Sequence, residues 1–347
     1  MTRPVALGLF SGGLDSILAC RVVAEQGVRV VALKFVTPFA DSYLLDSSEE
    51  YVASIRRLYD IDVRVVDISP GYVRLLEAPV HGFGKHFNPC IDCKILMLAK
   101  AREMMAEYGA QFFISGEVLG QRPMSQRRDT LRVIERDSDC TGLLLRPLSA
   151  LLMEPTRAEQ QGLVKRELLH GFSGRGRRQQ KMLAAHYGIH EYPAPAGGCL
   201  LTDPNLASRI KHFYQGLFDF QSQQIVDDVR LLTLGRHFKL GESLWFIVGR
   251  EEKENQLLES LRSADDCLVR MTERPGPMGL LRHGQAAMPS GTLNETLFSQ
   301  LAGIVVRYGK KLSGAQPPAE VMIDCGGSLQ LGVFPPLTDT IMQHWRI

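Results

Sequence analysis

Two sets of residues in this 347-residue chain have types and spacing that suit chemistry: Ser11-Gly12-Gly13-Leu14-Asp15-Ser16, and the cysteines Cys90, Cys93 and Cys199. The first set follows the apolar run Val5 to Phe10 and precedes the apolar run Ile17 to Ala24. A strand, a Ser-Gly-Gly turn and a helix N-terminus form an anion site, because free backbone N–H groups and the helix dipole meet at one point. The glycines let the backbone approach a phosphate and adopt positive φ. No Gly-Lys-Ser/Thr follows, so this is not a Walker loop. Cys90-Ile91-Asp92-Cys93 precedes Leu96 to Tyr108, a helical run, which predicts both thiols on a first turn where the dipole favours thiolates. Cys199 is carried by the rigid loop Tyr192 to Asp203, directly after Gly197-Gly198. A Cys-x-x-Cys alone fits zinc, redox chemistry or no chemistry. Cys20 reads as core, and Cys140, Cys267 and Cys325 stand alone with no role.

The elements that must position these residues read as α/β. Val28 to Phe35 is a near-continuous β-rich run, as in a parallel strand buried on both faces. Ser47 to Tyr59 predicts an amphipathic helix, and Ile61 to Ile68, Gln111 to Ser115 and Leu143 to Leu148 predict further strands. Thr156 to Leu169 reads as helical, and the basic glycine-rich turn Gly171 to Lys181 opens a helix to Tyr187. The expectation is a doubly wound, mostly parallel sheet over residues 1–205, closed by a helix around Leu206 to Phe213. A smaller α+β domain is expected over 215–347. Ligands in such a sheet sit at the carboxyl ends of the strands.

Length predicts two domains, and 45% hydrophobic residues suffice for their cores. No apolar run has membrane-spanning length, and a strand beginning at Val5 leaves no room for a signal peptide, so a cytoplasmic protein is expected. Seven cysteines in so long a chain point to metal or catalytic roles before disulfides. A net charge of +2 means that an RNA partner needs local basic patches.

Ser11 to Ser16 resembles the PP-loop of the N-type ATP pyrophosphatases, which split ATP between the α and β phosphates to adenylate a substrate. The match extends over about 1–205 to the tRNA 4-thiouridine synthetases. They carry similar versions of Ser115-Gly116-Glu117-Val118-Leu119-Gly120-Gln121, of Ser125-Gln126, and of Leu145-Arg146-Pro147-Leu148. The resemblance implies that Ser11, Gly12, Gly13 and Ser16 hold pyrophosphate, with Asp15 near Mg²⁺ and the phosphates. It implies adenine against Phe35, and Gly116, Glu117 and Gln121 bordering ATP and the target uridine.

A uracil carbonyl oxygen is a poor leaving group, and adenylation turns it into AMP. Sulfur must then reach the activated carbon, and three readings stay open. Cys90, Cys93 and Cys199 could ligate a [4Fe-4S] cluster with one open iron that binds sulfide, as in the cluster-dependent tRNA thiolases. Cys199 could carry a persulfide that Cys90 or Cys93 resolves. The three could hold zinc with His81 or His86. The sulfur donor is therefore sulfide or a persulfide carrier.

Arg127, Arg128, Arg175, Arg177, Arg178 and Lys181 form the basic clusters that could meet tRNA phosphates. The synthetases usually carry an N-terminal RNA-binding extension, and here the C-terminal module is expected to take that task. Its pattern loosely resembles the NFACT RNA-binding domain, with Arg282, Arg307, Lys310 and Lys311 facing RNA; a dimerisation or lid domain is the other reading. The function expected is ATP-dependent tRNA uridine thiolation by a chain that could form a homodimer. The runner-up is a PP-loop enzyme that makes an acyl-adenylate for amidation or ligation.

Overall fold

The computed structural model describes residues 3–195, 199–213, 225–241, 244–288 and 292–347. Gly197 and Gly198, and residues 214–224 where the expected domain boundary falls, lie outside them. The chain divides into two compact units, Met1–Thr202 and Asp203–Ile347.

In the first unit, β1 (Val5–Leu9), β2 (Arg29–Val36), β3 (Asp62–Asp67), β4 (Phe112–Ser115) and β5 (Leu144–Leu145) form one parallel sheet. Their order is β3-β2-β1-β4-β5. The chain leaves β1 towards β2 on one side and returns to β4 on the other, so the switch point lies between β1 and β4. That crevice is where a doubly wound sheet binds its ligand. Leu9 of β1 stands beside Ser115 of β4, so the two strands end level with each other.

Helices cover both faces. They are α1 (Leu14–Ala24), α2 (Ser48–Tyr59), α3 (Ser69–Glu77), α4 (Cys90–Tyr108), α5 (Arg128–Asp137), α6 (Arg157–Gln160) and α7 (Arg178–His186). On one face α1 packs Leu14, Ile17, Leu18 and Val22 with Ala6, Ile114 and Val118. On the other, α4 packs Leu98 and Ala101 with Leu7, Val31 and Phe113. These two layers explain why β1 and β2 are apolar almost throughout.

Three expectations of local structure change. Thr156 to Leu169 is not one helix: a Thr156–Glu159 capping box starts α6, and Gly162, with φ of 69°, ends it, leaving a 3₁₀ turn at Arg166–Leu168. The fifth strand has two residues. The helix expected to close the first domain, α8 (Pro204–His212), belongs to the second unit, where Arg209 donates to the carbonyls of Leu232 and Gly235.

The second unit adds α9 (Ile225–Leu231), β6 (Arg236–Leu240), β7 (Leu244–Val248), α10 (Glu252–Ser260), β8 (Cys267–Met271) and β9 (Gly279–Arg282). It ends with α11 (Glu295–Tyr308), β10 (Ala319–Cys325), β11 (Ser328–Phe334) and α12 (Asp339–Gln343). Its sheet is antiparallel in the order β11-β10-β8-β9-β7-β6. Leu301, Ala302, Ile304 and Val305 of α11 fill the core with Phe246, Val269 and Val321. Cys267 and Cys325, expected to stand alone, face each other across β8 and β10 and form a disulfide. Arg282, expected to face RNA, is buried between Asp228 and Asp266 at 2.6 and 2.5 Å, so it ties α9 to the sheet. Arg307 pairs with Asp339, while Lys310 and Lys311 are exposed.

Candidate active site

The phosphate-type loop sits at the end of β1. Gly12 takes φ of 82°, which only glycine adopts freely. Ser16 Oγ donates to the Gly13 carbonyl at 2.8 Å and lies 3.2 Å from Ser11 Oγ, and Gly13 N donates to Ser11 Oγ at 3.3 Å. The loop is held from below by Lys34, a residue the sequence reading passed over. Its buried Nζ donates to the Ser11 carbonyl at 2.8 Å and to Asp41 Oδ2 at 2.6 Å. One charged residue inside the apolar run Val30 to Val36 was the available signal. Phe35 itself is packed in the core with Leu7, Leu9 and Val31, so its ring is a core aromatic.

The loop after β4 is pressed onto the phosphate loop. A β-carbon at Gly116 would lie 2.5 Å from Asp15 C and Ser16 N. Gln121 Nε2 donates to Asp15 Oδ2 at 2.8 Å, and Arg177 Nη2 lies 3.6 Å from the same oxygen. Asp15 Oδ1 is buried and accepts no hydrogen bond.

Glu117 is 5% exposed, and its Oε2 accepts from Ser115 Oγ and from Arg146 Nε, each at 3.1 Å. Arg146 is equally buried and also pairs with Glu135. Lys94 Nζ stands 3.7 Å from Glu117 Oε1. Burial by itself would raise the Glu117 carboxyl; Lys94, Arg146 and Ser115 overcome it and hold the group below the usual carboxylate range. Glu117 thus anchors the loop from inside through Oε2, while its buried Oε1 has no hydrogen-bond partner.

Lys94 leads to the thiols, because Cys93 precedes it on the first turn of α4. Cys90 Sγ donates to Asn88 Oδ1 at 3.0 Å. Phe87 N donates to the Leu201 carbonyl at 3.3 Å, which brings the turn beginning at Cys199 to the loop before α4. The buried Tyr72 phenol of α3 hydrogen-bonds Cys93. Burial pushes that phenol up, and so does the nearness of Cys93, Cys199 and Cys90. Burial pushes the Cys93 thiol up to about 12, with Lys94 pulling down and Cys199 and Cys90 pushing up. The Cys199 thiol is raised by desolvation and by Cys90, against Arg122 and a backbone hydrogen bond to Leu201. At Cys93 desolvation works against the helix dipole that favours a thiolate. The three thiols lie near enough to act on one another's titration.

The set is not a preformed zinc site. Tetrahedral zinc, with Zn–S of about 2.3 Å, needs sulfurs about 3.8 Å apart. Among the described residues, only Asp265, Asp266 and His283 bring three such ligand atoms within 4.8 Å of one another. His81 is engaged elsewhere, its Nε2 2.9 Å from Asp137 Oδ2.

The basic residues divide. Arg127 pairs with Asp129, Arg128 donates to the Leu152 carbonyl, and Arg175, Arg178 and Lys181 are exposed. Arg177 alone is drawn to Asp15. Among the described residues, no helix is long and apolar enough to cross a membrane.

Residues 1–154 match the family described as thiamine biosynthesis protein (ThiI), and residues 235–346 match the NFACT protein RNA binding domain. A probable tRNA sulfurtransferase of Thermococcus kodakarensis is 25% identical over 155 residues, 43% of this chain and 38% of that protein. A tRNA sulfurtransferase of Desulfurococcus amylolyticus is 29% identical over 149 residues, 41% of this chain and 29% of that protein. The chain thus spans well under half the length of either relative. A solved 4-thiouridine synthetase–RNA complex with bound ATP aligns at 22% identity with a TM-score of 0.38, over 66% of this chain and 52% of that one. By these matches, the chain joins a segment similar to the ThiI family at residues 1–154 to one similar to the NFACT domain at residues 235–346.

Proposed function

We propose that the protein is an ATP-dependent tRNA thiolase that adenylates a uracil carbonyl and replaces its oxygen with sulfur, forming 4-thiouridine. The observation that carries this reading is the continuity of the site. Cys93 adjoins Lys94, Lys94 faces Glu117, and Gly116 lies against Asp15, so the thiols and the phosphate loop share one end of the sheet. The two relatives named tRNA sulfurtransferase and the NFACT match support tRNA as the acceptor.

In this reading the backbone of Gly12 and Gly13 and the N-terminus of α1 receive the pyrophosphate half of ATP, with Ser11 and Ser16 hydroxyls as further donors. Lys34 and Gly116 keep that cradle in shape. Asp15, with one buried oxygen unengaged, fits as the hard ligand of Mg²⁺, which would neutralise charge on the triphosphate. Gln121 orients the same carboxylate. Cys90, Cys93 and Cys199 would hold a [4Fe-4S] cluster, whose open iron would supply bound sulfide to the activated carbon. Lys94 places a positive charge between these thiols and the loop bearing Glu117. Exposed Arg127, Arg128, Arg175, Arg178 and Lys181, with Lys310 and Lys311, would meet RNA phosphates. The catalytic part would span residues 1–205 and the RNA-binding part 215–347. In this reading the protein works in the cytoplasm, with sulfide or a persulfide carrier as its donor.

The test is anaerobic incubation with ATP, Mg²⁺, sulfide and tRNA. AMP should form in proportion to thionucleoside, and only with tRNA. AMP formation that ignores tRNA but responds to a carboxylic acid and an amine would assign the chain to acyl-adenylate chemistry instead.

A further inference from the structure

Arg177 belongs by sequence to the basic turn, yet its surroundings differ from those of its neighbours. Gly174 N donates to the Leu119 carbonyl at 2.8 Å, and Ser173 pairs with Leu119 as an isolated parallel bridge. Ser149 clasps the pair from behind: Leu119 N donates to its Oγ at 3.0 Å, and that Oγ donates to the Phe172 carbonyl at 2.7 Å. The turn is therefore built onto the Gly116–Gln121 loop, which is itself pressed against the phosphate loop. This places Arg177 at the side of α1, 20% exposed and 3.6 Å from Asp15, while Arg175 and Arg178 stay exposed.

The contact leaves both groups incompletely engaged. Arg177 Nε is buried without a hydrogen-bond partner, and so is Asp15 Oδ1. A guanidinium offers five donors in a fixed fork, and one loose ion pair uses little of it. Burying such donors is costly unless an anion arrives to take them. Asp15 lies on the first turn of α1, so the place where that anion would sit is the helix N-terminus beside Gly12 and Gly13. Gln180 of α7 reaches Gln121, the donor to Asp15, with its Nε2 3.5 Å from Gln121 Oε1.

We propose that Arg177 is a residue of the nucleotide site: it rests on Asp15 when the site is empty and forks onto the β and γ phosphates when ATP enters. This rests on the reading of the loop as an ATP site, and it moves Arg177 out of the RNA-facing cluster. Arg177 then lowers the charge of the triphosphate without contributing to tRNA affinity.

The test measures equilibrium binding of ATP with Mg²⁺, of AMP, and of tRNA alone to the full chain and to its Arg177→Ala and Arg177→Lys variants. Losing a charge-assisted fork should raise the ATP Kd roughly tenfold or more in the Ala variant. The Lys variant, which keeps the charge and loses the fork, should fall between it and the parent. AMP and tRNA Kd values should stay within about twofold. An ATP Kd unchanged in both variants overturns the proposal. A raised tRNA Kd, with a salt dependence shallower by about one unit, overturns it in favour of an RNA contact. If the Ala variant does not fold, the Lys variant decides: parent-like ATP affinity contradicts the role. A parent chain that binds no ATP would refute the nucleotide-site reading itself, which is a separate result.

Discussion

Gly116 and Asp15 touch backbone to backbone: a single methyl group on Gly116 would come within 2.5 Å of Asp15 C and Ser16 N. Two loops from adjacent parallel strands are thereby locked into one surface, and neither can be altered alone. Gly116→Ala should force them apart. The expected cost is about 1–3 kcal/mol of stability, with ATP affinity lost at least tenfold. Thermal unfolding and ATP titration check both, and parent-like ATP binding would show that the loops are not coupled.

Glu117 and Arg146 make a second prediction, about stability. Both are nearly fully buried, and each is the other's counter-charge. Glu135 still faces Arg146 once Glu117 is gone, so the cost is that of a buried donor left unsatisfied, about 1–3 kcal/mol. Glu117→Ala should therefore lower the unfolding free energy by roughly that amount. A variant of parent-like stability that is merely inactive would mean that Glu117 contacts substrate and does not anchor the loop.

The thiols give a third. If Cys90, Cys93 and Cys199 hold one [4Fe-4S] cluster, anaerobically prepared protein should be brown with about four irons per chain. Cys199→Ser should lose most of that iron, and Cys140→Ser should retain it. A colourless, iron-free and fully active preparation would turn the sulfur route towards a persulfide.

His237 supplies a pH dependence. It is 1% exposed; Trp245 Nε1 donates to its Nδ1 at 3.0 Å, and its Nε2 lies 2.6 Å from the Leu234 carbonyl. That pairing fixes the neutral Nε2–H tautomer. Burial, with Arg209 and Arg250 nearby, pushes its pKa well below the usual value. A histidine depressed in the folded state binds its proton more readily when unfolded. Its contribution is complete above the unfolded pKa of about 6.5 and is lost as pH falls, at up to about 1.4 kcal/mol per pH unit. The unfolding midpoint of the second unit should drop between about pH 6.5 and 5.5. His237→Gln should flatten the drop. An unchanged slope in that variant would assign the effect to other groups.

The Ser11–Ser16 loop was legible because its signal is local. A strand, two glycines and a helix start follow one another within a few residues, and the fold places them where that order demands. The parallel sheet was legible for a similar reason, since β1 and β2 are apolar on both faces. What could not be read depends on contacts far apart in sequence. Lys34 reaches back to Ser11, Lys94 reaches forward to Glu117, and Arg177 reaches Asp15 only because Gly174 pairs with Leu119. The Cys267–Cys325 bond and the burial of Arg282 needed the strand order β10-β8-β9, which no local pattern encodes. The short helices α3 and α5 were missed because each buries only a few apolar side chains.

The central claim is that this chain puts sulfur into tRNA at the expense of ATP. Mass spectrometry of nucleosides from tRNA treated with the pure protein, ATP, Mg²⁺ and sulfide, without air, tests it directly. The account predicts a uridine with one oxygen exchanged for sulfur, absent without ATP and absent with Asp15→Ala. A cluster-loaded, ATP-binding protein that leaves every tRNA uridine unchanged would contradict it.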